Sequence, residues 1–153
     1  MFDERLKAFG GGEMRLFAIA FVGLVLSQPG NVLNGNWTAN FQGTTYVRLT
    51  FAEGAMAPQG TMSIGQSIHV DGDGNVDSVT AASSTPTRIL DIRWNDGVLS
   101  FGINDGPDVD RFEFRLIDAN HAELAMILSE EERRQAAAEQ IPLPKPFRLT
   151  KTP

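Results

Sequence analysis

From Asn36 onward, apolar residues recur at every second position, in short runs separated by turn residues. This period of two is typical of β-strands that bury one face, because successive side chains of a strand point to opposite sides. The same-face apolar positions of the main runs are Trp37, Ala39, Phe41; Val47, Leu49, Phe51; Met62, Ile64; Leu90, Ile92, Trp94; Leu99, Phe101, Ile103; Phe112, Phe114, Leu116; and Ala122, Leu124, Met126. About eight to ten short strands with hairpin-length connections predict an all-β fold, either a sandwich or an antiparallel up-and-down barrel. We favour the barrel, because closure removes both exposed sheet edges.

Local signals near the end of the chain add detail to this barrel. Asp96-Gly97 predicts a type I′ hairpin, because both residue types tolerate positive φ angles. Ser129 opens a capping box for one short helix that reaches about Gln140. Residues 141–146 carry alternating prolines and predict an extended connection, after which residues 147–151 form the last strand.

An apolar run, Leu16 to Leu26, precedes the strand series and predicts a leader. It is shorter than the ~20 residues that span a bilayer, and small residues before Gln28 suit signal-peptide cleavage. A buried core helix is the alternative. Because Met1 to Glu13 lacks the positive charge of a signal peptide, we expect Met14 to be the true start. The predicted organisation is a leader over residues 1–27 and a barrel domain over residues 28–153. The product would be exported, periplasmic or extracellular, without a stable membrane span after leader removal.

Composition limits the available chemistry. The 153 residues include no Cys, which excludes disulfides, Cys-based zinc sites and a thiol nucleophile. The net charge of −6 argues against nucleic-acid binding, which depends on Lys and Arg neutralising phosphates. Only His69 and His121 are available as imidazole ligands or bases. Since no nucleophile elbow or phosphate-binding loop is present, we expect no enzyme activity, no cofactor and no metal site.

The segment Val32 to Trp37 contains Gly35-x-Trp37 at the start of the first strand. This pattern resembles the opening of lipocalins and, in a similar position, of avidin-type barrels. With the hairpin series, late helix and closing strand, the chain resembles a calycin-type barrel of the small exported bacterial lipocalin-like class. The resemblance implies that Trp37 plugs the closed barrel end under a cation from the last strand, either Arg148 or Lys151. Strand parity places Arg148 outward and Lys151 inward. Biotin binding is not expected, because that site needs several Trp residues and this chain has two.

Carboxylates cluster in two turns. Asp71 to Asp77 spaces oxygen side chains like the first half of an EF-hand loop, but it lacks that loop's sixth-position Gly and twelfth-position Glu. We predict a strand-joining turn, with weak Ca²⁺ binding as the alternative. Residues 104–110 are also interpreted as a turn. His121 and Glu123 share an outward strand face, and one imidazole with one carboxylate does not make a metal site.

Two function classes follow from a barrel of this kind. The first is a binding module whose apolar lining encloses a small hydrophobic molecule. Its predicted lining is Val47, Leu49, Phe51, Met62, Leu90, Ile92, Leu99, Phe101, Phe112 and Phe114. The alternative is a non-catalytic structural or protein-interaction domain with a side-chain-filled barrel. The sequence identifies neither the ligand nor a protein partner.

Overall fold

The computed structural model describes residues 32–52 and 58–153, so the predicted leader lies outside the described residues. The described chain contains one short helix and eleven strands. The elements are β1 Gly35–Phe41, β2 Thr44–Ala52, β3 Gln59–Ile64, β4 Ile68–Val70, β5 Val76–Val79, β6 Thr87–Arg88, β7 Leu90–Asn95, β8 Val98–Asp105, β9 Asp108–Leu116, β10 His121–Ile127, α1 Glu130–Ala138 and β11 Phe147–Thr152.

Nine strands form a single antiparallel sheet in the order β6-β3-β2-β1-β11-β10-β9-β8-β7. The hairpins of this sheet are β1–β2, β2–β3, β7–β8, β8–β9 and β9–β10, while β3 also pairs with β6 and β11 inserts between β1 and β10. The sheet curls into a nearly closed barrel with β6 and β7 on either side of the seam. The predicted all-β antiparallel barrel, with a helix before its final strand, is confirmed.

Alternation places the apolar face of each strand inside the barrel. In β1, β8, β9, β10 and β11, and in β2 from Val47 onward, the buried apolar side chains follow the period of two seen in the sequence. The predicted hairpin also forms, because Asp96 (φ 48°) and Gly97 (φ 79°) both lie in the left-handed region between β7 and β8.

Two register irregularities change which side chains are buried. Opposite the Ala39/Asn40 step of β1, Tyr46 is an extra residue in β2, so Tyr46 and its neighbour Val47 are both buried. A strict alternation predicts Tyr46 on the outer face. Burial of the Tyr46 ring raises the pKa of its phenol above the ordinary value.

The second irregularity lies in β7, where Asp91 takes a φ of 50° and one residue is added relative to β8. Ile89, just before the strand, is therefore buried in the core, while Trp94 is 40% exposed. The predicted inward face of Leu90, Ile92 and Trp94 does not continue along this strand. Leu90 and Ile92 are half-buried.

Strands β4 and β5 form a separate hairpin that packs against the barrel through Ile68, Val76 and Val79. Backbone hydrogen bonds from Gly65 and Ala82 to β2 attach its base to the sheet. The hairpin therefore covers the end of the barrel at which β2 begins.

The capping box predicted at Ser129 is present. Its hydroxyl accepts from the Glu132 amide at 3.2 Å, and the Glu132 carboxylate accepts from the Ser129 amide at 2.6 Å. The Ser129 amide is the largest cause that lowers the pKa of Glu132, because it donates to the ionised carboxylate. Helix α1 has no buried residue and ends two positions before the predicted Gln140. Local capping therefore contributes more to this helix than tertiary packing does.

Replacing Ser129 with alanine is expected to destabilise α1 by about 1 kcal/mol, because one amide loses its capping acceptor. Amide exchange in residues 130–138 should quicken about fivefold. The urea midpoint of the barrel should not move, since no side chain of α1 is buried. Ser84→Ala is the control for both measurements. A lower midpoint for Ser129→Ala would contradict the independence of helix and barrel.

Candidate functional site

The barrel interior is the site that the sequence predicts. Eight of the ten predicted lining residues are 0–2% exposed, while Leu90 and Ile92 lie toward the seam and are half-buried. The eight are Val47, Leu49, Phe51, Met62, Leu99, Phe101, Phe112 and Phe114. The structure thus brings together most of this set inside one barrel.

Aromatic rings contact one another across the barrel. Phe114 meets the Trp37 ring and the Phe51 ring edge-to-face, each at 5.2 Å between centroids. Phe51 meets Phe101 at 6.4 Å, and Phe101 stacks on Phe112 at 5.8 Å. Because β2 is not a sheet neighbour of β8 or β9, the contacts of Phe51 bridge opposite walls.

These ring contacts limit the free volume inside the barrel beside the predicted lining residues. A void that admits even a water molecule leaves accessible surface on the side chains around it. Val47, Leu49, Leu99 and Phe114 are each 0% exposed. At this level of the barrel, therefore, these four side chains leave no surface that a water molecule could reach.

Trp37 is fully buried near the start of β1. The indole Nε1 donates to the Leu33 carbonyl at 2.9 Å. Lys151, the residue opposite Trp37 on β11, holds its Nζ 5.4 Å from the Trp37 ring centroid and donates to the Val32 carbonyl at 2.9 Å. Arg148 is exposed and faces outward. Of the two cations considered for the plug, Lys151 is thus the one that contacts Trp37, with a cation–π attraction.

The packing of Lys151 near the start of β1 explains why residue 35 is a glycine. Gly35 has a φ of 122°, and a Cβ added there would lie 3.0 Å from Lys151 Cε. The missing side chain lets the Lys151 stem cross β1 on its way to the Val32 carbonyl. Gly35, Trp37 and Lys151 therefore form one local arrangement, which we call the closing unit.

The Asp71 carboxylate accepts hydrogen bonds from residues of its own turn. Its Oδ1 accepts from the amides of Asp73 and Asn75 at 2.9 Å each, and its Oδ2 accepts from the Asn75 side chain at 3.2 Å. Bonds from Asn75 are the main cause that lowers the pKa of Asp71. The residues thus serve as a turn that joins β4 to β5. Among the described residues, no group of three His, Cys, Asp or Glu could hold a metal ion.

The two histidines have separate local partners. His69 Nε2 lies 2.8 Å from the Ser67 hydroxyl. His121 Nδ1 lies 2.8 Å from Asp118 Oδ1, which also accepts from the amides of Asn120 and His121. The Asn120 amide is the largest cause that lowers the pKa of Asp118, followed by the His121 side chain. Asp118 and His121 therefore order the turn between β9 and β10.

Because the pKa of Asp118 is lowered in the folded protein, this turn is expected to lose stability at acidic pH. Since folding favours the ionised form, the stabilisation is present above about pH 4 and is lost as pH falls through the folded pKa. The His121 amide signal should therefore titrate below pH ~4 by NMR. Asp118→Asn should abolish this step, while Asp96→Asn, on another turn, should retain it. A step that survives in Asp118→Asn would assign it to another group.

The geometry defines a class: a nearly closed antiparallel β-barrel that is consistent with a calycin-like barrel. Comparison with known proteins finds no family model, curated protein or solved structure that matches the chain. In the described ranges, no helix has the length and apolar character needed to cross a membrane.

Proposed function

We propose that this chain is an exported, non-catalytic interaction domain of the lipocalin-like type, with a barrel filled by its own side chains. Its function would then lie on the outer surface, and the core would serve as a scaffold. The observation that carries the proposal is the ring series through Phe114, Phe51 and Phe101, which occupies the space that a lumenal ligand would need.

The lipocalin-like type is supported by the closing unit at one barrel end. Lys151 Nζ lies 5.4 Å from the Trp37 ring centroid, and the missing Gly35 side chain leaves room for the Lys151 stem, which supports the contact between Trp37 and a cation that the resemblance implies. Export is supported by the apolar run Leu16 to Leu26. A binding module for a hydrophobic molecule in the lumen is less favoured, because the lining side chains contact one another.

A lumenal probe tests the filled barrel. We expect wild-type protein to take up no dansyl-labelled fatty acid, and to show no saturable benzene binding by NMR. Phe101→Ala removes a ring that contacts both Phe51 and Phe112, so it should open a dry cavity that admits benzene. The variant is the positive control for the method. Stoichiometric uptake of the fatty acid by wild-type protein would overturn the proposal in favour of a lumenal carrier.

A further inference from the structure

A cleft of about 480 Å³ lies beside the start of β11, at the end of the barrel away from Trp37. It is bounded by the end of β1, the turn of the β4–β5 hairpin and the proline-rich segment before β11. Its volume is within the range of small-molecule sites, and such sites combine an apolar surface with a few polar groups.

The floor of the cleft is aromatic. Tyr46 and Phe147 meet edge-to-face, with ring centroids 5.6 Å apart, and both belong to the buried core. Phe41 and Val76 line the same cleft and pack against that core from the side. A ligand ring placed here would meet side chains that are already fixed, so little order would be lost on binding.

The charged groups on one wall form a row across three neighbouring strands. Arg115 on β9 lies opposite Glu123 on β10, which lies opposite Arg148 on β11. Glu123 and Arg148 line the cleft. The ion pairs found in the described part of the chain are Arg111–Asp91 and His121–Asp118, so none of these three side chains is in an ion pair there. Because one carboxylate lies between two guanidinium groups, the row carries a net positive charge.

A second cation of the cleft, Lys145, is held in place. Its amide donates to the Gly74 carbonyl at 2.9 Å, and its Nζ donates to Asn75 Oδ1 at 3.0 Å. Its charge is partly balanced by Asp71, whose pKa it helps to lower. Arg148 therefore remains the cation with unused donors at the cleft. One such cation suits a single carboxylate better than a polyphosphate, which needs several.

We propose that this cleft binds a small aromatic carboxylate, with the carboxylate on the Arg148 guanidinium and the ring against the half-buried side chains of Phe41 and Val76, next to the edges of Tyr46 and Phe147. Guanidinium and carboxylate match in a planar, two-bond geometry, and aromatic rings favour edge-to-face contacts with the floor. The proposal rests on the proposed function in one respect, since it places binding outside the lumen.

Phenylacetate is the probe, titrated into the isotopically labelled full chain and followed by backbone-amide NMR. Saturable shifts are expected at Asn75 and Arg148. Arg148→Gln should weaken the affinity about tenfold or more, because a charge-assisted contact is lost. Arg93→Gln, an exposed arginine of β7, is the matched control and should leave the affinity unchanged. Phenethylamine, with the same ring and the opposite charge, should give no saturable shift.

The outcomes separate this proposal from the proposed function. Equal affinity in Arg148→Gln, or equal binding of phenethylamine, would overturn the assignment of Arg148 and of the ligand charge. No saturable shift with phenylacetate would overturn the cleft proposal and leave the filled barrel standing. Shifts at Leu99 and Phe101 instead would place the ligand in the lumen and overturn both.

Discussion

Phe114→Ala is expected to lower the free energy of unfolding by about 3–5 kcal/mol. Phe114 is 0% exposed and meets the Trp37 and Phe51 rings, both at 5.2 Å, so its removal leaves a cavity at the junction of two aromatic pairs. Urea unfolding followed by circular dichroism measures the change. The walls come from different strands of a nearly closed sheet and cannot collapse freely into this space.

Ile117→Ala is the matched control for this experiment. Ile117 follows β9 and is 57% exposed, so its truncation should change stability by no more than about 0.5 kcal/mol. A loss below about 1 kcal/mol for Phe114→Ala would contradict a tightly packed interior, because it would mean that the lumen already had free space around this ring.

Gly35→Ala should have the next largest effect, a loss of about 2–4 kcal/mol from backbone strain together with a displaced Lys151 side chain. A φ of 122° is a conformation that L side chains rarely adopt, and the new Cβ would be 3.0 Å from Lys151 Cε. Besides the lower urea midpoint, Trp37 fluorescence should change as the Lys151 ammonium moves away from the indole.

The control glycine is Gly72, in the β4–β5 turn. An added Cβ at Gly72 would meet nothing within 4 Å, and its φ is not positive, so Gly72→Ala should leave stability within about 0.5 kcal/mol. If Gly35→Ala were as stable as wild type, the closing unit of Gly35, Trp37 and Lys151 would not depend on a missing side chain.

The sequence alone predicts those parts of the fold that depend on local pattern. The inward apolar faces of β8 and β9, and of β2 from Val47 onward, follow strict alternation, and the hairpin at Asp96-Gly97 follows from the backbone freedom of two residues. Parity also distinguishes inward Lys151 from outward Arg148, because it requires only a count along β11.

The remaining features depend on partners that lie far apart in the sequence. Tyr46 and Ile89 are buried because the register slips against a neighbouring strand, and no local pattern records such a slip. The contact of Phe51 with Phe101 exists only once the sheet has curled. The sequence pattern does not predict the cleft for the same reason, because Lys145 and its hydrogen-bond partner Asn75 are 70 positions apart in the chain.

The pairing of β1 with β11 also dictates when the barrel can be completed. Lys151 reaches the Val32 carbonyl across 119 positions, and no earlier strand can take its place in the sheet order. During synthesis, one edge of β1 stays unpaired until almost the entire barrel sequence has left the ribosome, because its partner β11 is the last strand of the barrel. Contacts this distant slow folding, because a long loop has to close before they form. Joining of the two halves of the sheet, β6-β3-β2-β1 and β10-β9-β8-β7, should therefore be a late step of folding that requires β11.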